Sequence, residues 1–402
     1  YRRQRQMCIR DRYGVGFSYD KHFAPGESTY YKLNQQNLNQ QLVVLPMHFT
    51  LADNLHLHVS PYYVHQFGPS LGGENIPASG GYFGTQQYGD LNVGTPVNGS
   101  ILTSSRDPWN QKTGGVNVSA DWRLSKSNTL SFGWWYAYTT HEELSDLRVG
   151  GKILTGYDLN FMQQVNTLFI ADTQKLLNDK LTLSAGFRVA MVSRQGTNLV
   201  PGADPYKMQG NYFEPLPQFS ASYMITPKDQ IYINGTTSFR APESVEAYSQ
   251  IFDPNSAHAT MQPQSLKPEY SISEEIGYRH QGKFYNFSMS LFNINLTNHQ
   301  VTSTGYIPNT NMMVASPINI GGQTSRGVQA EFGLARWHHF SPYLSGQFLH
   351  STFDNNFNTG SGYLPTAGKI AVQAPKFTGA IGLSYDDGRF FGNFDLRYVD
   401  TQ

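Results

Sequence analysis

The 402-residue chain has a formal charge of zero and no basic stripe, which excludes a nucleic-acid binder held by electrostatics. Charged residues make up 14%, against about 25% in a typical soluble protein, while aromatics also reach 14%, with 25 Tyr and 25 Phe. No stretch approaches the ~18 consecutive apolar residues of a spanning helix, so a helical membrane protein is excluded. A spanning barrel is not, because its strands alternate and average out near-polar.

The first twelve residues, "YRRQRQMCIRDR", stand apart, with five Arg, one Asp and the only cysteine, Cys8. They show no strand alternation and resemble translated sequencing adapter, so residues 1–12 are read as a non-native segment. Without them the chain carries 24 basic against 28 acidic side chains and no cysteine, hence neither disulfides nor thiol chemistry.

From Tyr13 onward strand-like runs recur. Val116, Val118, Ala120, Trp122 and Leu124 alternate with Asn117, Ser119, Asp121 and Arg123. Leu130, Phe132, Trp134, Tyr136 and Tyr138 alternate with Ser131, Gly133 and Ala137. Leu181, Leu183, Ala185, Phe187, Val189 and Met191 oppose Thr182, Ser184, Gly186 and Arg188. In "KFYNFSMSLFNINLTNHQ", residues 283–300, Tyr285, Phe287, Met289 and Leu291 share one face and Asn286, Ser288 and Ser290 the other. A period of two means a strand with one face withdrawn from water. By itself it fits a soluble sandwich or propeller as well as a membrane barrel. After Leu291 the parity flips to Phe292, Ile294 and Leu296, which predicts a bulge, or an exit from the membrane into an external extension.

The connections separate these readings. Short turns at 52–54, 125–128, 177–180, 226–229, 280–283, 336–340 and 386–388 alternate strictly with long Gly-, Asn-, Ser- and Pro-rich segments. The long segments cover 68–113, 141–158, 196–211, 241–268, 299–318 and 353–374. In an up-and-down meander this puts every short turn at one end and every long loop at the other, the asymmetry of outer-membrane barrels. Asp121, Arg123, Arg188, Glu331, Asp395 and Arg397 all fall on polar faces, whereas Glu274 shares a face with Ile272 and Ile276 near a long-loop end. A mid-bilayer Arg or Lys facing lipid costs roughly 2–4 kcal/mol, a wet lumen little. About fifteen strands are expected between Tyr13 and Asp400, and the last run stops in mid-strand at "RYVDTQ".

Residues 166–189, "NTLFIADTQKLLNDKLTLSAGFRV", resemble a hairpin of TonB-dependent outer-membrane receptors. "SFRAPES" carries their Phe-Arg-x-Pro signature, here Phe239, Arg240 and Pro242. "LKPEYSISEEIGYR" carries Leu-x-Pro-Glu and Glu-x-Gly, here Glu269, Glu275 and Gly277. "NIGGQTSRGVQAEF" carries a later glycine, Gly327, with Gln329 where Glu is usual. The resemblance implies that residues 13–402 are a partial all-β transmembrane antiparallel barrel, about 15 of about 22 strands, with short periplasmic turns and long extracellular loops. It further implies a plug domain and TonB-binding segment outside this chain, and no cofactor. Its partners would be TonB, a ferric chelate or other scarce nutrient, and outer-membrane lipid. The expected role is import of a ferric siderophore across the outer membrane of a Gram-negative bacterium. A passive porin is the alternative, and a soluble carbohydrate-binding or propeller protein the second.

Arg240 has two readings, an anion-binding group or a loop-base clamp, and the clamp is preferred. His48, His56, His58 and His65 cluster on the first hairpin, but no Cys or carboxylate nearby in sequence completes a metal set, and a polar lumen is the simpler account. Ligand contacts are expected on the long segments, from Tyr82, Tyr88, Trp109, Arg148, Tyr157, Tyr206, Tyr248 and Phe252; the competing reading is solvent exposure or mutual loop packing. There is no nucleophile elbow, phosphate loop or zinc signature, so no catalytic residue is assigned.

Overall fold

The computed structural model describes residues 26–80, 82–83, 86–87, 99–149, 151–198, 206–242, 248–252, 259–263, 266–306, 313–358 and 363–400. The adapter-like segment 1–12 and the run read from Tyr13 lie outside these. Among the described residues there is no helix.

One antiparallel sheet holds sixteen strands, fourteen of them in a single path of nearest neighbours. It opens with Gln35–Gln36, Asn39–Val44 and Met47–Ala52, which pair in turn along Leu55–Pro77 as one interrupted stave. It continues through Ser100–Arg123, Asn128–Val149, Lys152–Leu176, Leu181–Asn198, Tyr206–Thr226 and Asp229–Arg240. The path ends through Glu269–Gln281, Tyr285–Thr297, Gln323–Leu334, Phe340–Phe353, Phe377–Asp386 and Phe391–Val399. Among the described residues the first and last staves are each paired on one side.

The short turns fall where expected. The turn after Leu176 has three consecutive left-handed residues, Leu177 (φ 55°), Asn178 (φ 56°) and Asp179 (φ 63°). Asn and Asp accept this region readily, whereas Leu does so at a cost.

The long segments correct the sequence reading. Most of 141–158 is not a loop: Asn128–Val149 and Lys152–Leu176 run on as a 22- and 25-residue pair of strands, matched up to Val149 opposite Lys152. Most of 68–113 is likewise strand, in Leu55–Pro77 and Ser100–Arg123. Farther along, the loops carry small separate hairpins, Tyr248–Phe252 with Ala259–Pro263 and Gln300–Tyr306 with Met313–Asn319.

Cross-strand register gathers the apolar parities into rows. One runs Phe49, Leu57, Ala120, Phe132, Ile170, Phe187, Pro217. Another runs Leu183, Ala221, Ile233, Ile276, Leu291, Val328, Phe348, Phe377. Among the described residues neither a second sheet nor a helix covers this side, and Ile170, Ile276, Leu291, Phe348 and Ile381 each expose half or more of their surface. Such a contiguous apolar band needs a nonaqueous neighbour. Following a single hydrogen-bonded row from Leu55, beside a short turn, through Trp122, Leu130 and Phe219 to Glu274, Arg326 and His350 ends near the far end of Phe340–Phe353. Rows at right angles to the strands climb in this way because barrel strands tilt against the axis.

The parity flip at Leu291 is resolved without a bulge. Tyr285–Thr297 pairs in unbroken register with both neighbours, so Leu291 and Phe292 continue one regular pleat and the expected bulge is absent. Phe292 therefore points to the inner face, where its ring lies against Gly327: a Cβ on that glycine would sit 2.5 Å from the Phe292 ring. Asn293 and Asn295 point outward, beyond the apolar row that passes through Leu291.

Candidate functional site

The inner face of the six long staves rises from an apolar cluster of Ala137, Val165, Val192 and Ala241, with Tyr62, Tyr212 and Phe239 packed against it. Above this cluster, successive cross-strand rows place Thr113, Thr139, Gln163 and Arg194, then Gln111, His141 and Phe161, then Trp109, Glu143 and Leu159. The His141 ring stands 6.2 Å from Trp109 and 5.8 Å from Phe161, edge-on to the latter. His141 Nδ1 meets Gln111 Oε1 at 3.1 Å, and its Nε2 lies 3.4 Å from Glu143 Oε2. Arg194 Nε donates to Gln163 Oε1 at 2.7 Å. Trp109 and His141 remain half-buried, while Phe161 is 5% exposed and backs them.

Farther up, Ser145 donates to Asp107 and Thr155 to Asp146 at 3.1 Å. Burial pushes the Asp107 carboxyl above its ordinary range, and neighbouring Glu143 and Asp146 add to this against the Ser145 hydrogen bond. Burial also raises Asp158, with Glu142 and Asp146 contributing. At the tip Ile76, Ile101, Leu147 and Val149 form a small core of their own, with Leu147 fully buried.

The structure thus brings one expected ligand residue, Trp109, into a composite inner wall. Arg148 is exposed at the tip of its hairpin. Tyr82, Tyr157, Tyr206, Tyr248 and Phe252 lie on strands, but their side chains fall outside the described residues, and Tyr88 lies outside altogether. Sequence reasoning missed His141, Phe161 and Arg194 because the signal is cross-strand register, which spacing along the chain does not carry.

The motif residues occupy structural posts. Glu269, 7% exposed, accepts hydrogen bonds from the Gln300 backbone N–H at 2.7 Å and from His299 Nδ1 at 2.9 Å, with Arg240 Nη1 3.7 Å away. Asn319 and Gln300 side chains both donate to the Lys267 carbonyl, and Asn298 to that of Pro268. Pro242 is fully buried. The Phe-Arg-x-Pro and Leu-x-Pro-Glu segments thus meet at the bases of two long loops, where Arg240 approaches Glu269. Gly277 faces Tyr232 across the ladder, and an added Cβ would meet that ring at 2.4 Å. The ring lies along the strand between Glu275, which accepts from the Tyr232 hydroxyl at 2.7 Å, and Arg279, whose guanidinium stands 4.3 Å from the ring centre.

His48 and His58 contact through their Nδ1 atoms, and His58 Nε2 lies 3.6 Å from Asp121, a carboxylate supplied by the neighbouring strand. Among the described residues no group of three or more such side chains has the arrangement of a metal site.

A family profile for the TonB dependent receptor-like β-barrel matches residues 9–402. The chain belongs to this family. TonB-dependent receptor barrels are receptors and transporters, not enzymes, and the chain carries their barrel wall. Solved structures agree on the fold. The ferric citrate transporter FecA in unliganded form superposes with a TM-score of 0.66 at 15% identity over 90% of this chain and 49% of that one. The siderophore receptor PiuA from Acinetobacter baumannii gives 0.66 at 13% identity over 90% and 55%. The copper transporter OprC gives 0.63 at 14% identity over 90% and 52%. The chain spans about half the length of these proteins. No curated protein sequence matches it.

Proposed function

We propose that this chain is the membrane wall of a plug-gated receptor in the outer membrane of a Gram-negative bacterium, importing a ferric siderophore by TonB-coupled transport. The observation that carries the reading is the tall inner wall. Trp109 and His141, backed by the buried Phe161, offer flat faces beside the carboxylate of Glu143 and the guanidinium of Arg194, a surface suited to a planar, polar metal chelate. The named solved structures of this fold are a ferric citrate transporter, a siderophore receptor and a copper transporter, which supports a metal-chelate cargo. The plug, the TonB contact and the remaining staves belong to the longer protein in this reading.

The test uses the full-length receptor in a host lacking its own siderophore receptors. Radiolabelled ferric chelates, presented one class at a time, are expected to accumulate only with TonB present, and Trp109→Ala is expected to weaken chelate binding about tenfold. Accumulation independent of TonB would replace the reading with a passive channel.

A further inference from the structure

Where the outward apolar row Ile276, Leu291, Val328, Phe348 ends, the next row on the same face is wholly polar: Glu274, Asn293, Arg326 and His350, direct neighbours on four successive staves. Three of these four groups are hydrogen-bonded in a chain, and His350 stands beside Arg326 across the ladder. Asn293 Nδ2 donates to Glu274 Oε2 at 3.2 Å, and Arg326 Nε donates to Asn293 Oδ1 at 3.0 Å. One row farther out stand Asn295, Thr324 and Thr352, with Asn295 donating to Thr324 at 3.1 Å and Thr324 to Asp354 at 3.1 Å.

Arg326 lies eight residues from the short-turn end of its strand, Gln323–Leu334. At about 3.3 Å per residue and a tilt of about 40°, that is roughly 20 Å up the wall, close to the outer limit of an apolar band about 25 Å tall. Both carboxylates nearby already have partners, Glu274 in Asn293 and Asp354 in Thr324. The Arg326 side chain is exposed, donates through Nε, and stands directly across the ladder from the exposed His350. A guanidinium edge is the geometry that takes a phosphate by two parallel hydrogen bonds. Directly beneath it, Leu291 and Phe348 expose 53% and 52% of their surface, a bed for acyl chains.

We propose that this face holds a phosphomonoester lipid of the outer leaflet, its phosphate on Arg326 and His350 and its chains along Leu291, Val328 and Phe348. The proposal rests on the outer face meeting lipid. Glu274 then has a role its position on a lipid-facing strand otherwise lacks: through Asn293 it fixes the Arg326 side chain.

The test uses the full-length receptor in detergent micelles doped with dioleoyl phosphatidic acid or, separately, dioleoylglycerol, with retained lipid counted by native mass spectrometry. Phosphatidic acid is expected to be retained and dioleoylglycerol not. The Arg326→Gln, His350→Gln double variant should reduce retention at least tenfold, and Arg326→Lys should fall between, keeping charge without the bidentate edge. Heat-modifiable gel mobility checks that each variant is folded, and Arg326→Lys carries the test should the double variant not fold. Equal retention by a folded variant and wild type, or displacement by equimolar inorganic phosphate, would overturn the proposal. Recovery of the protein in the aqueous fraction would instead remove the membrane reading beneath it.

Discussion

The two halves of the wall differ in height. From Leu55 to Thr226 the staves run 18 to 25 residues and continue as paired strand well past the apolar rows. From Asp229 to Val399 they run 9 to 14, and what rises above them is small separate hairpins standing on a hydrogen-bonded base. The tall half is held up by backbone ladders and its own small tip core. In the short half, two of the loops are tied at their bases around one buried carboxylate, Glu269. A wall built this way is continuous with its own ladders on one side and carries loop hairpins set off from the main sheet on the other.

The sharpest way to break this contrast is at the tip of the tall half. Leu147→Ala, removing a fully buried side chain, is expected to cost about 3 kcal/mol. The loss should register as faster amide exchange across 141–158 with the short half unchanged. Glu269→Ala should do the reverse. Losing charge-assisted hydrogen bonds from His299 and the Gln300 N–H is expected to cost about 2–3 kcal/mol. Protease nicking should rise in the external loops between 241 and 322 while 141–158 stays protected.

Gly277→Ala acts below both regions. Overpacking against Tyr232 is expected to cost about 1–3 kcal/mol, read as a lower temperature for loss of heat-modifiable mobility. The smallest effect is a pH dependence confined to the tall half. The Asp107 carboxyl is raised when folded, so its contribution favours the fold fully below the ordinary aspartate range and is lost as pH rises through the elevated value. Exchange at 101–110, corrected for intrinsic rate, should therefore slow on acidification, and Asp107→Asn should flatten that response.

The contrast also marks what was legible in the sequence. Inside the apolar band one face of the sheet is apolar and the other polar, so runs such as Tyr285, Phe287, Met289 and Leu291 announce both strand and face. Above the band both faces meet water, and the extensions through Thr140, Glu142 and Asp158 lose their alternation, which made paired strand read as loop. Pairwise features were hidden for a different reason. Asp121 beside His58, Arg326 beside Asn293 and Gly327 beneath Phe292 are joined by register across strands, and the sequence gives no distance between them. The bulge expected at Leu291 failed on that point, because the partner that admits Phe292 lies on another strand.

The aromatic rings laid over glycines, Tyr232 on Gly277 and Phe292 on Gly327, with Tyr62 on Gly115 and Phe169 on Gly133 repeating the arrangement, bear on how such a sheet is assembled. A hairpin slipped by two positions would keep its greasy and wet sides correct, so hydropathy alone cannot reject it. It would, however, push Tyr232 onto the side chain of Glu275 or Arg279. Each glycine is thus a keyhole that accepts one alignment, letting a growing barrel tell right pairing from near-miss stave by stave.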